Sequence, residues 1–117
     1  MLTVYVYRSC ATCRKAIARL KARRIAFTEV PIREQPPTAA ELRRVLAAVG
    51  GDIRRLFNVS GQDYRVLGMA QQLPGLDEKA AIALLTANGN LCKRPIIVGP
   101  SVAVVGFKTD EWDAAGL

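Results

Sequence analysis

The chain is expected to be an α/β protein: a mixed four-stranded β-sheet flanked by helices, with a helical block inserted between its two halves. Three observations predict it. An alternating run, Leu2 to Tyr7, leads straight into a helix-like run ending near Ala22, and a second alternating run, Ile25 to Val30, comes next. Two short apolar runs, Ile96 to Val98 and Val102 to Gly106, stand near the other end with a tight turn at Pro100-Ser101 between them. The stretch that separates these pairs shows helical spacing and no strand pattern.

Taken in order, Leu2 to Tyr7 is rich in β-branched and aromatic residues and reads as the first strand. Thr12 or Ser9 is placed to cap the next helix, with Ala16, Ile17, Leu20 and the stem of Arg24 on one side. Ile25 to Val30 is the second strand, and Pro31 and Pro36-Pro37 break regular structure after it. Thr38 with Glu41 forms a capping box, Leu42, Val45, Leu46 and Val49 give a buried helix face, and Gly50-Gly51 ends it. Asp52 is expected to cap a short turn holding Ile53, Leu56 and Phe57, and Gln62 to Met69 to form a helix with Tyr64 and Leu67 inward. Asp77 opens another helix, with Ala81, Leu84 and Leu85 inward and Asn88-Gly89 closing it. Ile96 to Val98, too apolar to be exposed, is a buried strand; Val102 to Gly106 pairs with it antiparallel; Thr109-Asp110 caps a last helix containing Trp112. If the first two strands are parallel, their helical crossover is right-handed. Residues from about 38 to 70 are a helical insertion within one domain spanning 1–117, a length that suits a single core.

The chemistry concentrates at Cys10-Ala11-Thr12-Cys13-Arg14-Lys15. The two cysteines fall where a strand becomes a helix. The first turn of a helix presents unpaired N–H groups and the positive end of the helix dipole, which stabilise a thiolate. Arg8, Arg14 and Lys15 add positive charge nearby. A thiol of lowered pKa with a second thiol in reach is the equipment for thiol–disulfide exchange. Cysteines also serve as small buried hydrophobes, which leaves their placement among basic residues unexplained. They also serve as halves of zinc sites, but the chain has no histidine and only Cys92 besides, so no four-ligand Cys/His site can be completed within it. Cys92 is expected to be buried.

Three cysteines are too few, and odd in number, for a secreted disulfide scaffold, and Met1 leads into a strand without a signal segment; a cytoplasmic setting is expected. No stretch is apolar and long enough for a membrane span. The net charge of +7 favours anionic partners. Its carriers are spread over helix faces without interleaved aromatics, so direct nucleic-acid binding is not expected. The chain is expected to be a monomer.

The sequence resembles the arsenate reductase (ArsC)/Spx/YffB family, a glutaredoxin-like branch of the thioredoxin fold. The resemblance rests on Cys10-Ala-Thr-Cys13-Arg14-Lys15-Ala16, Pro36-Pro37-Thr38 with Glu41-Leu42, Asn58-Val-Ser-Gly61 with Tyr64 and Leu67-Gly68, Lys93-Arg94-Pro95-Ile96, and Val105-Gly106-Phe107. It implies a thioredoxin-like sheet, an inserted helical subdomain, and a cis Arg94–Pro95 bond facing the cysteine loop. It further implies that Cys10 and Cys13 are the redox pair, that Arg94 offers a forked cation beside Cys10, and that Arg14, Lys15 and Pro95 help bind substrate. Without the resemblance, Arg94 reads as a charge flanking a buried strand and Pro95 as a strand-start proline.

The branches imply different activities. Arsenate reductases of this type are similar in the Cys10 nucleophile but hold the oxyanion with three arginines. Only Arg94 has a match here; the other positions fall at Asn58 and Phe107, which argues against arsenate as substrate. Spx-type regulators share the C-x-x-C pair and bind the C-terminal domain of the RNA polymerase α subunit. This chain ends at Leu117, short of the extension expected of that branch. YffB-type members imply a thiol reductase with no bound cofactor and glutathione, or a thiol protein, as reductant.

Overall fold

The computed structural model describes residues 1–117. Four strands, β1 (Leu2–Val6), β2 (Phe27–Pro31), β3 (Ile96–Gly99) and β4 (Val102–Val105), form one sheet in the order β2-β1-β3-β4. β1 and β2 are parallel, joined through helix α1 (Ala11–Ala22); β3 runs antiparallel to both β1 and β4. This is the mixed sheet expected from the sequence. Between β2 and β3 lie α2 (Ala39–Ala48), α3 (Gln62–Val66), α4 (Met69–Gln72) and α5 (Glu78–Ala87), with 3-10 turns at Ile53–Leu56, Leu73–Gly75 and Gly89–Leu91. The chain closes with α6 (Thr109–Ala114).

Strand alternation sends side chains to two cores. On one face Val4 and Val6 of β1, Ile97 of β3 and Val104 of β4 pack against Cys13, Ala16 and Leu20 of α1 and against Trp112 and Leu117. On the other, Tyr5, Ile96, Val98 and Val105 pack against Leu42, Val45 and Leu46 of α2, Ala81, Ile82 and Leu85 of α5, and Phe57. β1 and β3 are buried on both sides because they are central in the strand order. β2 is an edge, which is why it tolerates Pro31 as its last residue.

Several local signals act as read. Thr38 Oγ1 accepts from Glu41 N–H at 3.1 Å, and Glu41 Oε1 accepts from Thr38 N–H at 2.9 Å. The same carboxylate oxygen accepts from the Tyr5 hydroxyl at 2.7 Å, which ties the start of α2 to the sheet. Asp77 caps α5 through Ala80 N–H at 2.7 Å. Others differ. Neither Thr12 nor Ser9 caps α1; the cap is Cys10 itself. Arg24 is exposed beyond the end of α1 at φ 57°. The Gln62–Met69 helix is split, because Gly68 sits at φ 64° and ends α3 before α4 begins. Leu67, at this break, is turned outward and 45% exposed, whereas Tyr64 is buried as expected. Asp52 makes no side-chain capping bond, and α6 is preceded by Lys108, also without one.

Two sets of contacts fix the approach to β3. A β-bridge joins Phe57 to Cys92, and hydrogen bonds of 2.8 Å run from Asn58 N–H to the Leu91 carbonyl and from Lys93 N–H to the Leu56 carbonyl. Gly89 lies so close to the backbone after β2 that an added Cβ would stand 1.9 Å from the Ile32 carbonyl oxygen, so only glycine fits there.

Candidate functional site

Cys10 stands at the turn from β1 into α1. Its N–H donates to the Tyr7 carbonyl at 3.0 Å, closing the turn, and its carbonyl accepts from Arg14 N–H at 3.1 Å, the first bond of the helix. The backbone of Cys10 is extended, so its side chain folds back over the helix start and Sγ accepts from Cys13 N–H at 3.3 Å. A sulfur thus occupies the place usually held by a capping oxygen, and the exposed N–H groups and dipole of the helix face it.

The two thiols are in opposite situations. Cys10 is half-buried, and Cys13 is 1% exposed within the core under α1. Partial burial works against ionising Cys10. The Cys13 side chain, the Cys13 N–H and the Arg94 guanidinium outweigh it, and the thiol is held below the ordinary range. Burial pushes the Cys13 thiol up to about 12; a hydrogen bond with the Tyr7 backbone opposes this, while the neighbouring Cys10 sulfur reinforces it. The pair therefore offers a half-buried sulfur that ionises more readily than an ordinary thiol and, behind it, a buried one that ionises less readily. Residues three apart on a helix start share a face, so the sulfurs are neighbours.

Arg94 is half-buried at the entry to β3, and the Arg94–Pro95 bond is cis. Its guanidinium carbon stands 5.0 Å from the centre of the Tyr7 ring. Pro95 is buried, and its carbonyl accepts from Gly106 N–H at 2.8 Å; Gly106 holds φ 78°, a conformation glycine adopts without penalty. The structure thus brings Cys10, Cys13 and Arg94 together. Arg14 and Lys15 lie on the exposed side of α1, where Arg14 Nη1 donates to the Arg8 carbonyl at 3.0 Å. Neither is among the groups that shift Cys10.

Cys92 belongs to the core on the opposite face of the sheet from Cys13. It is fully buried, its Sγ donates to the Leu85 carbonyl at 3.6 Å, and burial pushes its thiol up to about 12.

Sequence reasoning missed Arg33. Its guanidinium carbon lies 4.7 Å from the Tyr7 ring centre, and it lines a small cavity of about 160 Å³ together with Tyr7, Asn58 and Arg94. Nothing near Arg33 in the sequence signals this, because it reaches the site only through the pairing of β2 with β1. Asn58 borders the same cavity as Arg94.

Arg94 carries a direct test. Arg94→Met keeps the apolar stem and removes the charge, and the pH at which Cys10 ionises should move upward; Arg94→Lys should move it less. Titration of the ultraviolet thiolate band reads this. An unmoved midpoint in Arg94→Met would show that the guanidinium does not act on this sulfur.

A mixed four-stranded sheet in the order β2-β1-β3-β4 with helices packed on both faces is a thioredoxin-like fold. A family model described as the ArsC family matches residues 5–115. The chain belongs to the ArsC family. It is 38% identical to the Bacillus subtilis protein YusI over 96% of this chain and 95% of that protein. It is 31% identical to global transcriptional regulator Spx 1 of Lactococcus lactis over 95% of this chain and 85% of that protein. The crystal structure of a putative ArsC-family-related protein from Bacteroides fragilis superposes with a TM-score of 0.89 at 36% identity, covering 97% of this chain and 96% of that one. No helix is long and apolar enough to cross a membrane.

Proposed function

We propose that the protein is a thiol–disulfide oxidoreductase in which Cys10 attacks and Cys13 resolves. The observation that carries this reading is the Cys13 N–H on the sulfur of a half-exposed Cys10, with Arg94 beside it. The Cys10 thiolate attacks one sulfur of a substrate disulfide, a mixed disulfide forms, and the other sulfur leaves as a thiolate that takes up a proton. The negative charge on Cys10 is then gone. With it goes one of the influences that kept Cys13 protonated, although burial still does. Cys13 gives up its proton and attacks Cys10 Sγ; the Cys10–Cys13 disulfide forms and the substrate's second thiol is released. Two reducing thiols, with glutathione as the proposed donor, return the pair to the dithiol and become a disulfide themselves. In a one-cysteine route, glutathione attacks the mixed disulfide in place of Cys13. Arg94 holds the attacking thiolate, and Pro95 shapes the groove in front of it. The test is reduction of a small disulfide coupled to glutathione, alongside thiolate absorbance against pH. Absence of turnover together with an ordinary Cys10 ionisation would end the proposal.

The identity to Spx 1 favours a second reading: the same pair as a redox switch whose oxidation changes affinity for the C-terminal domain of the RNA polymerase α subunit. Pull-down with that domain under reducing and oxidising conditions separates the two. Capture in one redox state only, without disulfide turnover, selects the switch.

A further inference from the structure

Beside the cysteine pair lies a cleft of about 390 Å³ that neither reading uses. Thr12, on the exposed first turn of α1, forms its wall next to Cys10; Gly106 and Phe107, just after β4, form another; Phe57, Val59 and Lys93 face them. The position is fixed from several sides. The Phe57–Cys92 bridge holds Lys93, and Trp112 packs edge-on against Phe107 at 4.7 Å while its Nε1 donates to the Gly106 carbonyl at 2.9 Å.

The lining has a consistent chemistry. Its floor is apolar: Phe57, Val105 and Phe107, with Val59 exposed at the rim. Four cations reach it, Arg54, Arg55, Lys93 and Lys108. Arg55 is neutralised by Glu111 through two bonds of 2.7 and 2.9 Å. Arg54, Lys93 and Lys108 have no carboxylate within ion-pair distance, and Asp52 is the one acid of the lining. Three unpaired cations around an apolar floor, in a cleft whose wall includes Thr12, two residues after Cys10, suit a carboxylate side chain with aliphatic stem. The volume takes one or two side chains of an extended peptide, not a folded domain.

We infer that this cleft selects disulfide substrates whose peptide chain carries acidic residues next to the reacting cysteine. The inference rests on the reading of Cys10 as the attacking thiolate, and it names the substrate class of that site. In the exchange the peptide disulfide is reduced to thiols, the cysteine pair is oxidised, and glutathione restores it.

The experiment uses the full chain and three peptides of one length, each held in a disulfide to the same reporter thiol, with glutamate, glutamine or lysine flanking the cysteine. A small uncharged disulfide serves as reference. At low ionic strength the glutamate peptide should show kcat/KM about tenfold above the glutamine one, the scale of two or three solvent-screened ion pairs, with the lysine peptide lowest. The advantage should shrink as salt is added. Lys93→Glu with Lys108→Glu should invert the order of the glutamate and lysine peptides; Lys93→Gln, a milder change, should lower the ratio without inverting it. Circular dichroism confirms that each variant is folded. Equal rates for all three peptides, or a glutamate preference that survives the charge reversal, overturn the inference. No turnover of any disulfide, including the uncharged one, overturns instead the oxidoreductase reading beneath it.

Discussion

Cys10→Ser is expected to abolish disulfide exchange, with kcat/KM falling by about three orders of magnitude or more, the scale on which loss of a nucleophile acts. Serine would keep the cap: its oxygen can accept from Cys13 N–H as the sulfur does. The fold should therefore survive and only the chemistry be lost, because a hydroxyl is not ionised at neutral pH. Cys13→Ser separates the two routes. If Cys13 resolves the mixed disulfide, the variant exposed to oxidised glutathione should accumulate a single adduct on Cys10, visible by mass spectrometry, and should turn over slowly. If glutathione resolves it, the adduct should clear when reduced glutathione is added, which leaves with the bound half as oxidised glutathione. Modification at Cys13 or Cys92 with Cys10 untouched would refute the assignment. Both of those thiols are buried and pushed up to about 12, so they are poor nucleophiles at neutral pH. The pH dependence follows from the sign of the Cys10 shift. The reactive form is the thiolate and its pKa is lowered, so the rate of the first attack should rise with pH and reach its plateau below the range where an ordinary thiol ionises. Below that midpoint it should fall about tenfold per pH unit. A plateau reached only at ordinary thiol pH would contradict the lowered value.

Trp112→Ala is expected to have the largest effect on stability. Trp112 is 0% exposed in the core formed with Val4, Val6, Leu20 and Val104. Its ring meets Phe107 at 84° with centroids 4.7 Å apart, and the Arg19 guanidinium carbon lies 5.6 Å from its centroid. Truncating a buried tryptophan costs about 3–5 kcal/mol, against a total stability of about 5–15 kcal/mol for a small domain. The loss should appear as a large fall in the urea midpoint at unchanged slope. Trp112→Phe, which keeps a ring but leaves the Gly106 carbonyl without its donor at 2.9 Å, should cost less. A loss under about 1 kcal/mol in Trp112→Ala would mean that this core collapses around the gap far more readily than close packing allows. The same substitution should also weaken selection among peptides in the cleft, since Trp112 braces the Gly106–Phe107 wall.

Some of this architecture depends on residues within a turn of one another, and that part is legible in the sequence. The box of Thr38 and Glu41, the Asp77 cap, the end of α2 at Gly50-Gly51 and the strand alternation that sends Val4 and Val6 one way and Tyr5 the other all follow from local spacing. The split between α3 and α4 is open to the same reasoning, because Gly68 is there to be seen. The helical spacing of its neighbours masks it: that spacing points Leu67 inward, and the break turns it to solvent. The α1 cap is hard to read because oxygen side chains are the usual caps, and two of them, Ser9 and Thr12, flank the sulfur that holds the place.

Residue order is enough to put two cysteines at a strand-to-helix turn, since every residue involved is a close neighbour and helix geometry follows from short-range sterics and hydrogen bonds. It does not say which of them faces solvent, that Arg33 and Arg94 both reach Tyr7, or that Arg54, Lys93 and Lys108 share one cleft; folding in three dimensions settles these. Those placements depend on the pairing of β1 with β2 and β3 and on the Phe57–Cys92 bridge, which join segments tens of residues apart. The register of such pairings is set by the packing of both cores at once, and no local pattern carries it.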